Sequence, residues 1–234
     1  MQENIHNYDD LLTMLDSFLR EPEPFWDDFF SDREKSVPIF MNAPDENLVS
    51  YIDSGTITRG KVLELGCGPG RNAIYLAEHG FEVDAVDVSK TSLDWAKERA
   101  DEKNVNIQFF HQNIFEFEVE QGKYDFIYDS GCFHHIAPHR RLSYIKLIER
   151  ALKHRGYFGI TCFHQGGKLG GSEISDWEVY RRGSLMGGLG YTEKRLIHAF
   201  HSLQPIEIRK MIDKDDSENL FGASDLLTGL FQKR

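Results

Sequence analysis

The chain has 234 residues, 40% hydrophobic and 28% charged, which suits one sizeable α/β domain or two small ones and lies outside the range of disordered or fibrous sequences. Its formal net charge of −11, with Lys and Arg scattered among carboxylates, leaves no basic face for nucleic acid, so a small-molecule partner is expected. No run approaches the roughly eighteen apolar residues of a membrane span. MQENIHNYDD has neither the basic region nor the apolar core of a signal peptide, and three cysteines without a C-x-x-C pair suit a reducing compartment. A cytoplasmic monomer or homodimer is therefore expected.

Ile5, Tyr8, Leu12, Leu15 and Leu19 recur at helical spacing and predict a leading helix within residues 1–20. EPEP reads as its break, and FWDDFFSDREKSVPIFMNAPDEN as an aromatic segment punctuated by Pro38 and Pro44. A short helix over 46–54 leads into the first strand. From Lys61 the chain alternates: strand KVLELGC, helix RNAIYLAEHG, strand FEVDAVDV, a helix capped by Ser89, strand IQFFHQ, strand YDFIYDS, helix HRRLSYIKLIERALKHRG, strand YFGITCF. Such alternation implies right-handed crossovers and a mostly parallel, doubly wound α/β sheet covered on both faces. A glycine-rich loop over 164–190 follows, with eight glycines, then a short helix capped by Thr192 and two closing strands that should pair as an antiparallel hairpin. Two parts are expected, a helical and aromatic lid segment over 1–55 and an α/β domain over 56–234.

The most informative stretch is LELGCGPGRN, residues 63–72. A strand running into glycines and then a helix aims backbone N–H groups and the positive helix end at the sheet's carboxyl edge. A dinucleotide turn wants a small residue where Arg71 stands, and no Gly-Lys-Ser/Thr follows for a P-loop. Glu64 adds negative charge that suits a cationic ligand. Asp87, 21 residues after Gly66, can accept both hydroxyls of a ribose. Ribose plus ammonium and sulfonium describes S-adenosylmethionine.

ELGCGPGRN, VDAVDVS and YDFIYDSG together resemble the class I S-adenosylmethionine-dependent methyltransferases over roughly residues 60–165. The resemblance implies a three-layer, seven-stranded Rossmann-like sheet of order 3-2-1-4-5-7-6 with strand seven antiparallel, and S-adenosylhomocysteine as product. It places the methionine part of the cofactor on Gly66, Cys67, Gly68 and Gly70, its amino group by Glu64, its ribose at Asp87 and its adenine by Val88. Asn113 and Ile114 stand where many members keep an aspartate near the adenine. Asp129 and Ser130 occupy the substrate-side motif. DSGCFHHIAPHRR has neither the Pro-Pro-aromatic stretch of amino-methylating DNA enzymes nor a Pro-Cys nucleophile, and is similar to small-molecule members, with a further likeness to the thiopurine, tellurite and thiol branch.

Methyl transfer from a sulfonium is an in-line displacement, so the enzyme supplies geometry and a desolvated site, and a base only for a protonated nucleophile. His134 is the first candidate for substrate contact or general base and His135 the second. Cys132, His164, Tyr180 and Arg181 are candidates for the substrate side, with Trp26 and Phe30 as a lid that could equally be a docked helix. No i, i+4 histidine pair with a carboxylate points to a metal. The alternatives are a non-catalytic S-adenosylmethionine-binding protein and a macromolecule-directed methyltransferase.

Overall fold

In a computed structural model that describes residues 4–234, seven strands form one sheet in the order β3-β2-β1-β4-β5-β7-β6, as expected. The strands are β1 (Lys61–Leu65), β2 (Glu82–Asp87), β3 (Gln108–His111), β4 (Tyr124–Ser130), β5 (Leu152–Phe163), β6 (Gln204–Lys210) and β7 (Leu226–Gln232). The first five run parallel, while β7 pairs antiparallel with both β5 and β6. Central strands covered on both faces must be apolar throughout, and Val62, Leu63 and Leu65 of β1 are all fully buried.

On one face lie α3 (Glu46–Asp53), α4 (Arg71–Glu78) and α5 (Lys90–Glu102). Leu48, Tyr51, Ala73, Leu76 and Leu93 from these helices pack on Val62, Phe126 and Tyr128. On the other lie α6 (Arg141–Ala151), α7 (Asp176–Arg182) and α8 (Glu193–Ala199), whose Tyr144, Ile148, Val179 and Leu196 join Phe133, Phe158 and Phe200. The strand order switches between β1 and β4, and the carboxyl edge at such a switch is the usual ligand position in this kind of sheet. Among the described residues no helix is long and apolar enough to cross a membrane.

Three local expectations need correction. The leading helix is shorter than residues 1–20, of which 1–3 lie outside the described residues. It is α1 (Tyr8–Asp16), started by a capping box between Asn7 and Asp10. EPEP opens a helix rather than only ending one: α2 (Pro22–Ser31) has Pro22 at its first position, where the missing N–H costs no hydrogen bond. The glycine-rich loop contains α7, capped by Ser175 and stopped by Gly183 at φ 61°. A further difference is that β5 begins at Leu152: KHRG, read as a helix end, forms a bulge against β4 with Arg155 at φ 64°.

Candidate active site

The loop after β1 turns through three left-handed glycines, Gly66 (φ 64°), Gly68 (φ 51°) and Gly70 (φ 78°). That region of backbone is open to glycine at no steric cost. Space adds a second requirement: a Cβ on Gly66 would lie 2.7 Å from Cys132 Cβ, and one on Gly70 3.0 Å from Ala96 Cβ. Gly66 and Cys67 donate their N–H groups to the Val86 carbonyl, which fastens the loop to β2. Asp87, at the end of β2, accepts from Gly68 N at 2.8 Å and Ser89 N at 2.8 Å. Burial still pushes its carboxyl upward in pKa.

Glu64 is the most perturbed acid of this loop. Burial pushes its carboxyl up to about 8, against the pull of Arg71. Its Oε2 is buried with no hydrogen-bond partner among the described residues. Arg71 forms an ion pair with Asp45 at 2.5 Å and donates to the Ala43 carbonyl at 3.0 Å and Ser130 Oγ at 2.9 Å. The neighbouring cation is therefore already engaged, and a buried carboxyl oxygen without a donor is costly unless one is supplied. After Asp87, the Val88 carbonyl lies 3.0 Å from His111 Nε2. Asn113 uses its Oδ1 to accept from Phe115 N, and Ile114 is a core residue.

Across the switch point, fully buried Asp129 accepts from Cys132 N at 2.9 Å, Phe133 N at 3.3 Å and the Tyr144 hydroxyl. Burial raises its carboxyl to about 7. These bonds shape the 3-10 turn Phe133–His135 that carries both candidate histidines. His134 is 4% exposed, stacks on Phe163 at 3.7 Å, and accepts the Phe163 N–H at Nδ1 at 3.2 Å. Its carbonyl accepts from Leu189 N, and a Cβ on Gly188 would lie 3.1 Å from its ring. His134 is thus locked between β5 and the glycine-rich segment. His135 instead meets Trp26 edge-on at 4.8 Å, and its Nδ1 is buried without a partner among the described residues. Burial, with Arg20 nearby, pulls its pKa down to about 3.

α2 packs over this carboxyl edge. Asp27 Oδ1 accepts from Ser89 Oγ at 2.7 Å and Thr91 N at 3.0 Å, so it caps α5 from outside that helix. Phe30, 5% exposed, sits with its ring 3.5 Å from where a Gly68 Cβ would be. The structure therefore brings Trp26, Phe30, Cys132 and His135 to the same edge as Glu64, Gly68 and Asp87. It turns three candidates elsewhere. His164 bridges to Tyr191 beside Thr192 and Lys210, the Tyr180 hydroxyl accepts from His139 N and lies 2.7 Å from its Nδ1, and Arg181 is exposed beside Glu178. Sequence reasoning missed the roles of Asp27, Tyr144 and Arg99. Arg99 binds the Phe40 carbonyl at 2.8 Å and the Pro69 carbonyl at 3.4 Å, and so steadies the glycine loop from α5. Only Asp27, an acid among aromatics, carried a sequence signal.

A family model described as a methyltransferase domain matches residues 62–156. An uncharacterised methyltransferase of Synechocystis sp. PCC 6803 is 30% identical over 185 residues, 73% of this chain and 82% of that protein. The 2-heptyl-1-hydroxyquinolin-4(1H)-one methyltransferase of Mycobacteroides abscessus is 32% identical over 115 residues, 49% of this chain and 50% of that one. In fold, the chain is similar to the 1,6-didemethyltoxoflavin-N1-methyltransferase of Burkholderia thailandensis, solved with 1,6-didemethyltoxoflavin and S-adenosylhomocysteine. The TM-score is 0.65 at 19% identity, covering 100% of this chain and 93% of that one. With its glycine turn, its strand order and these relatives, the chain belongs to the class I S-adenosylmethionine-dependent methyltransferases.

Proposed function

We propose that this methyltransferase acts on a small molecule enclosed by its own chain. The observation that carries this reading is α2 seated across the carboxyl edge, with Phe30 over the glycine loop and Trp26 against His135. On this reading the lid is α2, while α3 of the same N-terminal segment is part of the core beneath the sheet face, and an extended polymer would have to displace α2. The net charge of −11 points the same way, because a polyanion is repelled before it docks. A relative named for 2-heptyl-1-hydroxyquinolin-4(1H)-one and a protein of similar fold named for 1,6-didemethyltoxoflavin lend further support.

When bound, S-adenosylmethionine supplies a methyl carbon made electrophilic by its sulfonium. The buried, unpartnered Glu64 oxygen fits an ammonium group, since a donor bearing positive charge satisfies both its hydrogen-bond need and its charge. Gly66, Cys67, Gly68 and Gly70 form the backbone floor, and Asp87 faces the ribose while Val88 borders the adenine with Asn113 and Ile114. Asp129, Ser130 and Tyr144 shape the acceptor side. His134 acts as scaffold, because its Nδ1 already holds a backbone N–H, and His135 touches the acceptor through its unpartnered nitrogen. Phe30 and Trp26 exclude water, which strengthens each electrostatic contact within.

Calorimetric titration with S-adenosylhomocysteine, set against NADP and an Asp87→Asn variant, tests the cofactor side. Micromolar binding, about −8 kcal/mol, weakened at least tenfold in the variant, is expected. Methylation of at least one compound in a panel of small aromatic, thiol and amine acceptors, with none on nucleic acid or protein, tests the acceptor side; the reverse pattern refutes it.

A further inference from the structure

Arg20 differs from the other arginines near the site. Arg33, Arg71, Arg140 and Arg141 each hold a carboxylate, and Arg99 binds two backbone carbonyls. Arg20 makes no ion pair or hydrogen bond with the described residues; its guanidinium carbon lies 3.2 Å from the centroid of the Phe25 ring. Arg20 is exposed at the surface, partial desolvation lowers its pKa, and no carboxylate lies within ion-pair distance of it among the described residues. Phe25 meets Trp26 edge-on at 5.0 Å, and Trp26 meets His135 edge-on at 4.8 Å. One row of rings thus runs from an unpaired cation to an imidazole whose Nδ1 also lacks a partner.

The groups around this row leave the charge uncompensated. On His135's own turn stand His134, locked on Phe163, and Cys132, whose thiol burial holds protonated. From α2, Asp27 is turned to Ser89 and Thr91, and Glu23 to His111. Asp129 is bound by Tyr144 and two backbone N–H groups. In a chain of net charge −11, a lone cation at the acceptor side attracts an anion that the rest of the surface repels. Aromatic edges favour a flat partner.

Resting on the small-molecule reading above, we propose that the acceptor docks as a planar aromatic anion, an ionised hydroxyl or thiol, and that Arg20 is the residue that selects its charge. The ionised oxygen or sulfur supplies both electrons of the new bond to the methyl carbon. The carbon–sulfur pair returns to the cofactor sulfur, the sulfonium becomes a neutral thioether, and no proton remains to be placed. His135 then needs only to hydrogen-bond the acceptor, which agrees with an imidazole kept neutral and weakly basic by its burial.

Ring-fluorinated phenols and thiophenols, close in shape and graded in acidity, test this at saturating S-adenosylmethionine. The pH profile of kcat/KM is expected to break at each acceptor's own pKa. Arg20→Gln should raise KM about tenfold with kcat nearly kept, the scale of one charge-assisted contact, and Arg20→Lys should recover most of it. S-adenosylhomocysteine binding, measured in parallel, should be the same in all three proteins. A wild type that does not bind S-adenosylhomocysteine overturns the underlying reading as well. Normal binding with an unchanged KM in Arg20→Gln, a break at one fixed pH for every acceptor, or no methylation of any ionisable aromatic overturns the proposal alone.

Discussion

Replacing Glu64 by Gln should stabilise the cofactor-free protein while weakening its hold on the cofactor. The carboxyl sits at about 8 in the fold, against an ordinary value of 4.5. An acid raised in the folded state keeps a proton that the unfolded chain has lost, so its contribution is whole below pH 4.5 and falls as pH rises toward 8. At pH 7 the gap of 2.5 units between 7 and 4.5 corresponds to about 3 kcal/mol of lost stability, at about 1.4 kcal/mol per unit. Glutamine keeps the shape and is never charged, so it recovers about that amount.

The same numbers fix a proton count for binding. One unit below its pKa the carboxyl is roughly 90% protonated, and an arriving ammonium that ionises it must expel about 0.9 proton at pH 7. Calorimetry in buffers of different ionisation enthalpy reads that number as a slope, and urea unfolding at pH 6, 7 and 8 reads the stability. Glu64→Gln should flatten the difference in stability across that range, lose the proton slope, and bind S-adenosylhomocysteine at least tenfold more weakly. If the variant unfolds with the same pH dependence as wild type, Glu64 is ionised and paired in the fold, and the reasoning fails. Unchanged affinity would separately remove Glu64 from the ammonium site.

Asp129→Asn should likewise flatten stability against pH. Asp129 is raised to about 7, so the wild type loses stability as pH climbs toward 7, and thermal unfolding from pH 5 to 8 compares the two slopes. Asp27→Ala removes the outside cap of α5 and is expected to cost about 1 kcal/mol in urea unfolding, with faster proteolysis between residues 18 and 35. Gly68→Ala has ordinary space against Phe30 but forces a side chain into φ 51°, at about 1–2 kcal/mol; weakened S-adenosylhomocysteine binding by calorimetry is the check.

The sheet was legible because its signals are local and repeated. Apolar strands bounded by Gly80, Ser89 and the glycine turn give both element type and order, and two closing strands in succession imply the hairpin. The errors arose where one residue type serves opposite ends of a helix. Pro22 can stop α1 or start α2, and the outcome depends on whether Trp26, Phe29 and Phe30 find a surface, here His135 and Phe40, which is a tertiary matter. The glycines of 164–190 looked like slack. Several are instead close-packed: a Cβ on Gly170 would lie 2.6 Å from Phe163 and one on Gly190 2.6 Å from the Gly171 carbonyl, so the segment is fitted to the end of β5.

The two adjacent histidines show where sequence reading stops and why. On a 3-10 turn successive side chains point about 120° apart, so with one of the pair against β5 the other faces α2 across the carboxyl edge. Composition cannot say which, because both are imidazoles after the same strand. Phe163 and Gly188 decide it: a flat ring offers a stacking face, a glycine opposite leaves room for the imidazole, and the Phe163 N–H needs an acceptor that His134 Nδ1 provides. Once His134 is committed there, His135 is turned toward Trp26 and the unpaired Arg20. The orientation of His135, on which the proposed acceptor contact rests, is thus set by a strand and a glycine twenty-nine and fifty-four residues downstream of His134.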